Sequence, residues 1–218
     1  MTGWYVYALT GAAAPPFRAG HRQIEFVRIG QFHAAIARMA EAPALSEAAL
    51  QDQHAIVSAI AGKVDALLPA RFGAFVDEAE LAAIVEWRAG AIAEALALVR
   101  GREQMTVRIT GEPESAPVHA IDSPSGTDYL QQRRAAASPP FPHVVAAIEK
   151  AVRSIAGATR VEPGRDRART SVYHLIERGT SDVYRDALRS MPQTVTASLE
   201  IVVSGPWPPF AFAPELLA

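Results

Sequence analysis

The clearest pattern in the chain lies near its C-terminal end. From Val195 to Val203 every odd position is apolar (Val195, Ala197, Leu199, Ile201, Val203), and the even positions are polar until Val202. That period of two predicts a strand with one face in a core. The run then meets Gly205-Pro206-Trp207-Pro208-Pro209-Phe210, whose three prolines lack N–H groups, so ladder pairing is expected to end there. Trp207, Phe210 and Phe212 follow on a stiff, polyproline-like tail. Burying one such side chain is worth roughly 1.5–3 kcal/mol. Together the three rival the net stability of a whole domain, about 5–15 kcal/mol. The tail is therefore expected to be docked, on its own domain or on a partner.

The same periodicities organise the rest of the chain. Tyr5 to Leu9 is a short apolar strand, and Ile24 to Ile29 a second. Phe32 to Met39 fits strand or helix and is read as a strand, paired as a hairpin through Gly30-Gln31. Ser46 caps a long helix whose stripe is Leu50, Val57, Ile60, Val64 and Leu67, with Leu68-Pro69 as its stop. Pro69 to Val76 reads as a strand carrying Arg71-Phe72-Gly73. A second helix spans about Asp77 to Arg100, with Leu81, Val85, Ile92, Leu96 and Val99 on one face and Gly101 as its end. Met105, Val107 and Ile109 alternate with polar neighbours in a strand from Arg102 to Thr110. After a Pro- and Ser-containing loop come a short helix at Thr127–Ala137 and another with the stripe Val145, Ile148, Val152, Ile155, closed by Gly157. A strand at Thr159–Glu162, a turn at Pro163-Gly164, a strand at Arg169–Glu177 and a helix at Ser181–Met191 precede the final strand.

The fold class expected is α+β in two domains. Residues 1–100 would form a small sheet packed with two long helices. Residues 101–218, reading strand, helix, strand, strand, helix, strand with one extra short helix, would be ferredoxin-like, a split βαβ carrying the Pro/aromatic tail. The boundary near Gly101 has no flexible linker.

Composition narrows the function classes. The chain has 218 residues, half of them hydrophobic and a fifth charged, which is enough for a packed globule. A net charge of −2 gives no electrostatic reason for nucleic acid or an anionic membrane as partner. The absence of cysteine excludes disulfides, thiolate metal sites and cysteine nucleophiles. It is also compatible with a reducing cytoplasm. No signal peptide is read at the N-terminus, and no apolar run reaches the ~18 residues of a membrane span. Arginine far outnumbers lysine, present only at Lys63 and Lys150, which is read as a compositional bias.

No catalytic constellation stands out. His21, His33, His54, His119, His143 and His174 are scattered without the spacing that zinc chemistry needs. No phosphate loop or nucleophile elbow is present, since Ser125-Gly126 and Ser204-Gly205 lack the required context. Arg160, Arg165, Arg167 and Arg169, with Asp166, surround a Pro-Gly turn and read as a solvated hairpin tip. His174, mid-strand between Val172 and Ile176, reads as a hydrogen-bonded core histidine. Arg88 falls on a helical stripe and is expected to snorkel to its edge.

Five segments, in order, carry a resemblance: Tyr5-Val6-Tyr7; Leu68-Pro69-Ala70-Arg71-Phe72-Gly73-Ala74-Phe75; Gly101-Arg102-Glu103-Gln104-Met105-Thr106-Val107; Ser125-Gly126-Thr127-Asp128-Tyr129-Leu130 with Arg133-Arg134; and Val203-Ser204-Gly205-Pro206-Trp207-Pro208-Pro209-Phe210. In these the chain resembles the gas vesicle protein F/L family. Ala70, where that family often has valine, and Ser204, where threonine is common, are mild departures, and F-like and L-like subtypes stay open. The resemblance implies a non-enzymatic accessory protein without cofactor, found in the cytoplasm and with the gas vesicle. Such a protein is a minor vesicle component or assembly factor. It would contact the gas vesicle major shell protein and other accessory proteins and limit premature aggregation of the shell subunit. An apolar shell subunit aggregates readily before assembly, and a folded partner can cover its apolar helix or strand edge. The expected contact residues are Trp207, Phe210 and Phe212, with Arg71 and Phe72 second. The alternative is a small-ligand-binding or enzymatic ferredoxin-like cytoplasmic protein, with Arg88 and His174 as its polar groups.

Overall fold

The computed structural model describes residues 3–112, 140–164, 168–192 and 199–214. The expected helix at Thr127–Ala137, the motif from Ser125 to Arg134, the hairpin-tip residues Arg165, Asp166 and Arg167, and Val195–Ser198 of the final strand lie outside them. The fold is α+β with two antiparallel sheets, and the chain divides into two compact units.

The first unit comprises Met1–Gln104 and Pro206–Ala218. Its strands are β1 (Gly3–Thr10), β2 (Phe17–Ala19), β3 (Arg22–Ile29), β4 (Phe32–Met39), β5 (Leu67–Pro69) and β6 (Phe75–Val76). They form one sheet in the order β2-β3-β4-β1-β5, with β6 also pairing β1. The hairpin through Gly30-Gln31 is present, with Ile29 opposite Phe32. A bulge between Val6 and Ala8 shifts the register of β1 at Tyr7. Helix α1 (Glu47–Ala61) starts at the expected cap, where Ser46 Oγ accepts from the Ala49 N–H at 3.2 Å. Its Ile56, Val57 and Ile60 bury against Tyr5, Tyr7, Ile24, Ala35 and Ala37. Helices α2 (Glu78–Trp87) and α3 (Ala89–Val99) contact β3 and β5 and bury Leu81, Val85, Ile92, Leu96 and Val99.

Four expectations for this unit change. The sheet has six strands where four were expected. Helix α1 ends at Ala61 rather than at Leu68-Pro69, because Leu67, Leu68 and Pro69 pair with Thr10, Leu9 and Ala8 of β1. Leu67 is buried in either arrangement, so the stripe hides the change. The strand expected over Pro69–Val76 is two short strands separated by a turn at Arg71–Ala74. The single helix expected over Asp77–Arg100 is broken at Arg88, whose φ of −102° and ψ of 11° leave the helical region. Both flanking bonds, Arg88 N–H to the Ile84 carbonyl and Ile92 N–H to the Arg88 carbonyl, survive, which keeps the apolar stripe in phase.

The second unit, Met105–Gly205, holds the four-stranded sheet. Strands β7 (Arg102–Thr110), β8 (Ala156–Pro163), β9 (Arg169–Glu177) and β10 (Glu200–Trp207) lie in the order β10-β7-β9-β8. Helices α4 (Pro142–Val152) and α5 (Ser181–Arg189) supply Val144, Val145, Ile148, Val152 and Tyr184 to a core with Met105, Val107, Ile109, Val172 and Ile176. Gly157 does not close α4. It lies in β8 at a register shift between Ala156 and Ala158. Strand β10 continues through Pro206 to Trp207, beyond the expected stop. It is an edge strand, where a missing N–H on the outer side costs no ladder bond. The tail, expected with the second domain, groups from Pro206 onward with the first unit.

Candidate functional site

The Leu68–Phe75 segment is shaped by a buried polar network. Gln53 occupies a stripe position of α1, donates from Nε2 to the Ala70 carbonyl at 3.1 Å, and accepts a short hydrogen bond from the Tyr5 hydroxyl. The Tyr5 oxygen in turn accepts from the Gly73 N–H at 3.0 Å. The Ala74 N–H returns to the Arg71 carbonyl at 3.3 Å, closing a turn whose third residue, Gly73, has φ of +88°. A side chain there would be strained, which explains the glycine. Burial raises the Tyr5 phenol pKa, so it keeps its proton for Gln53. The turn presents Arg71 to solvent and lays half-buried Phe72 edge-on to Tyr5, ring centres 6.4 Å apart.

The tail is docked. Pro208 and Pro209 are buried, and the Ala211 N–H donates to Gln104 Oε1 at 2.8 Å. A 3-10 turn at Phe210–Phe212 packs beside β5. The imidazole of His54, one residue after Gln53, meets Trp207 edge-on at 5.0 Å and stacks on Phe210 at 6.0 Å. Even so, Trp207 is 37% exposed and Phe210 38%. Phe212 is half-buried. Of the five expected contact residues, the structure thus brings Trp207 and Phe210 together on His54. Sequence reasoning passed over His54 and Gln53. A glutamine on the stripe that Val57 and Ile60 continue was the available signal, although Leu50 at its start is exposed, whereas nothing local marks His54 as the seat of the tail.

The groups held for the alternative lie elsewhere. His174 is 0% exposed, with Nδ1 2.7 Å from the Tyr184 hydroxyl, as expected of a core histidine. Burial lowers its pKa to about 4. Arg88 is half-buried, and its guanidinium lies 4.3 Å from the centre of the exposed Trp87 ring. Among the described residues no group of three or more His, Asp or Glu could hold a metal ion. Nor is any described helix long and apolar enough to cross a membrane.

The family model described as gas vesicle synthesis protein GvpL/GvpF matches residues 3–214, nearly the whole chain. The chain belongs to the GvpL/GvpF family. Two crystal structures of the family share its fold. Gas vesicle protein GvpF from Anabaena sp. PCC7120 has a TM-score of 0.72 at 14% identity, covering 98% of this chain and 99% of that one. GvpF from Microcystis aeruginosa has a TM-score of 0.73 at 14% identity, covering 97% and 99%. No curated protein sequence matches the chain. Within this GvpL/GvpF fold, the Leu68–Phe75 motif is a braced turn and the Gly101-Arg102 pair is a helix terminator. Gly101 adopts φ of +66° and Arg102 Nη1 caps the Leu98 carbonyl at 2.7 Å.

Proposed function

We propose that this GvpL/GvpF-family chain is a non-catalytic cytoplasmic assembly factor that binds the hydrophobic shell protein of the gas vesicle. By covering that subunit's apolar surface it limits aggregation before the subunit joins the shell, alongside other accessory proteins. The observation that carries the reading is the exposure of Trp207 and Phe210 on an otherwise anchored tail. A rigid aromatic pair that is seated yet open to solvent suits an interface hot spot, because little conformational entropy is lost when a partner covers it. Phe212 would flank this patch, and Arg71 and Phe72 form the second candidate surface. The second unit is read as a ferredoxin-like domain, supported by its element order and by β9 lying between β7 and β8.

The test is co-expression of this chain with a gas vesicle shell protein. The Trp207→Ala/Phe210→Ala variant is expected to lose co-purification of the shell protein while its circular dichroism matches wild type. Loss of fold would make the tail core rather than contact surface. Undiminished capture by that variant and by Arg71→Ala/Phe72→Ala would overturn the assignment.

A further inference from the structure

A second feature of the first unit is unrelated to the aromatic patch. A cleft of about 350 Å³ opens beside the first turns of α1, lined by Tyr5, Tyr7, His21, Arg22, Asp52 and Gln53, with Pro43, Ala48 and Ala49. The volume falls at the lower end of small-ligand sites. Its polar groups are unevenly used. Tyr5 and Gln53 spend their hydrogen bonds on each other and on the Ala70–Gly73 turn. Arg22, at the start of β3, has Nε buried without a hydrogen-bond partner among the described residues. Among the described residues neither Arg22 nor Asp52 has an ion-pair partner, and the Tyr7 hydroxyl has no hydrogen bond.

We propose that this cleft binds a small carboxylate, held by the Arg22 guanidinium and the Tyr7 hydroxyl, with Asp52 receiving a donor group on the same ligand. A buried guanidinium nitrogen without an acceptor is costly, and a carboxylate supplies the planar pair of acceptors that a guanidinium fits best. Burial raises the Tyr7 phenol to about 12, so it stays a donor throughout the physiological range. A cleft lined by one guanidinium and one carboxylate favours a monoanion that also carries an ammonium or hydroxyl, and disfavours a phosphate dianion. The carboxylate would come from a free amino acid or from an acidic side chain of a partner protein.

The experiment follows the Arg22 Nε–H resonance of the whole chain by NMR. L-glutamate and acetyl-L-glutamate amide are titrated separately, with sodium chloride at matched ionic strength as the reference. A saturable shift with either carboxylate, absent with chloride, is expected. Arg22→Lys identifies the resonance by its loss. Binding, followed on the Gln53 side-chain amide, is expected to vanish in Arg22→Gln and to weaken about tenfold in the isosteric Tyr7→Phe. Tighter binding of free glutamate, erased by Asp52→Asn, points to an amino acid. Equal binding of the capped form points to a protein side chain. A linear response, an equal response to chloride, or unchanged binding in both Arg22→Gln and Tyr7→Phe would mean that the cleft is no carboxylate site, and would overturn the proposal. None of these readouts involves the shell protein, so the result is independent of the assembly role.

Discussion

His174 shows how a single buried side chain sets a pH limit on stability. Its pKa in the folded protein is about 4, below the ordinary 6.5, because burial disfavours the imidazolium. The unfolded chain therefore takes up this proton first as pH falls. The histidine's contribution is fully present above pH 6.5 and is lost between about 6.5 and 4, amounting to roughly 3 kcal/mol. Replacing His174 alone by leucine strands the Tyr184 hydroxyl in the core, which costs about 1–3 kcal/mol even at neutral pH. Replacing both partners (His174→Leu with Tyr184→Phe) is expected to restore most of that loss. It should also flatten the difference in unfolding free energy between pH 7 and pH 4 relative to wild type. Denaturant melts of the three proteins at both pH values check this, and an unchanged pH slope in the double variant would refute it. Gln53 illustrates the same principle from the other side. Its four possible hydrogen bonds include two that brace a turn, and that use explains a polar residue on an apolar stripe.

At the scale of elements, two glycines with equally open surroundings are expected to respond with opposite sign. Nothing lies within 4 Å of a Cβ built at Gly73 or at Gly90. Gly73, however, sits at φ of +88° in the Arg71–Ala74 turn, so Gly73→Ala should destabilise by roughly 1–2 kcal/mol through backbone strain. Gly90 lies in the first turn of α3, where alanine has the better helix propensity, so Gly90→Ala should stabilise by up to about 1 kcal/mol. Thermal denaturation of the two variants separates strain from crowding, since crowding would make both destabilising. The contrast also marks what was legible in the sequence. Strands β3, β7 and β9 and the Ser46 cap could be read locally, from side-chain pattern or a capping side chain, β1 as a short apolar run, and β4, which fits strand or helix, only through its hairpin with β3. The break at Arg88 was hidden because Val85 and Ile92 keep helical spacing across it. The early end of α1 was hidden because Leu67 is buried as a strand residue as well as it would be in a helix. The pairing of β5 with β1 decides that end, and no local pattern encodes it. Of the candidate surface, the aromatic residues were legible by type and by their proline setting. Their seat on His54 was not, because more than a hundred positions separate the two along the chain.

At the scale of the whole molecule, the first unit is assembled from two distant stretches of sequence, Met1–Gln104 and Pro206–Ala218. The second stretch contributes buried Pro208 and Pro209, the Ala211 bond to Gln104 and the aromatic contacts with His54. Removing it should therefore weaken the unit at the start of the sequence rather than the unit it follows. A chain ending at Gly205 is expected to lose hydrogen-exchange protection in α1 and β5, where the tail packs, while β8 and β9 keep theirs. Local opening free energies report on such cooperative units one by one. Each buried apolar side chain lost is worth roughly 1.5–3 kcal/mol, so the fall in protection at α1 should reach tenfold or more. Faster exchange in β8 and β9, with α1 unchanged, would place the tail with the second unit and remove the structural support from the aromatic patch. Protection lost only in α1 and β5 would leave that patch as a fixed feature of the first unit, held by side chains that serve stability while the faces of Trp207 and Phe210 stay open.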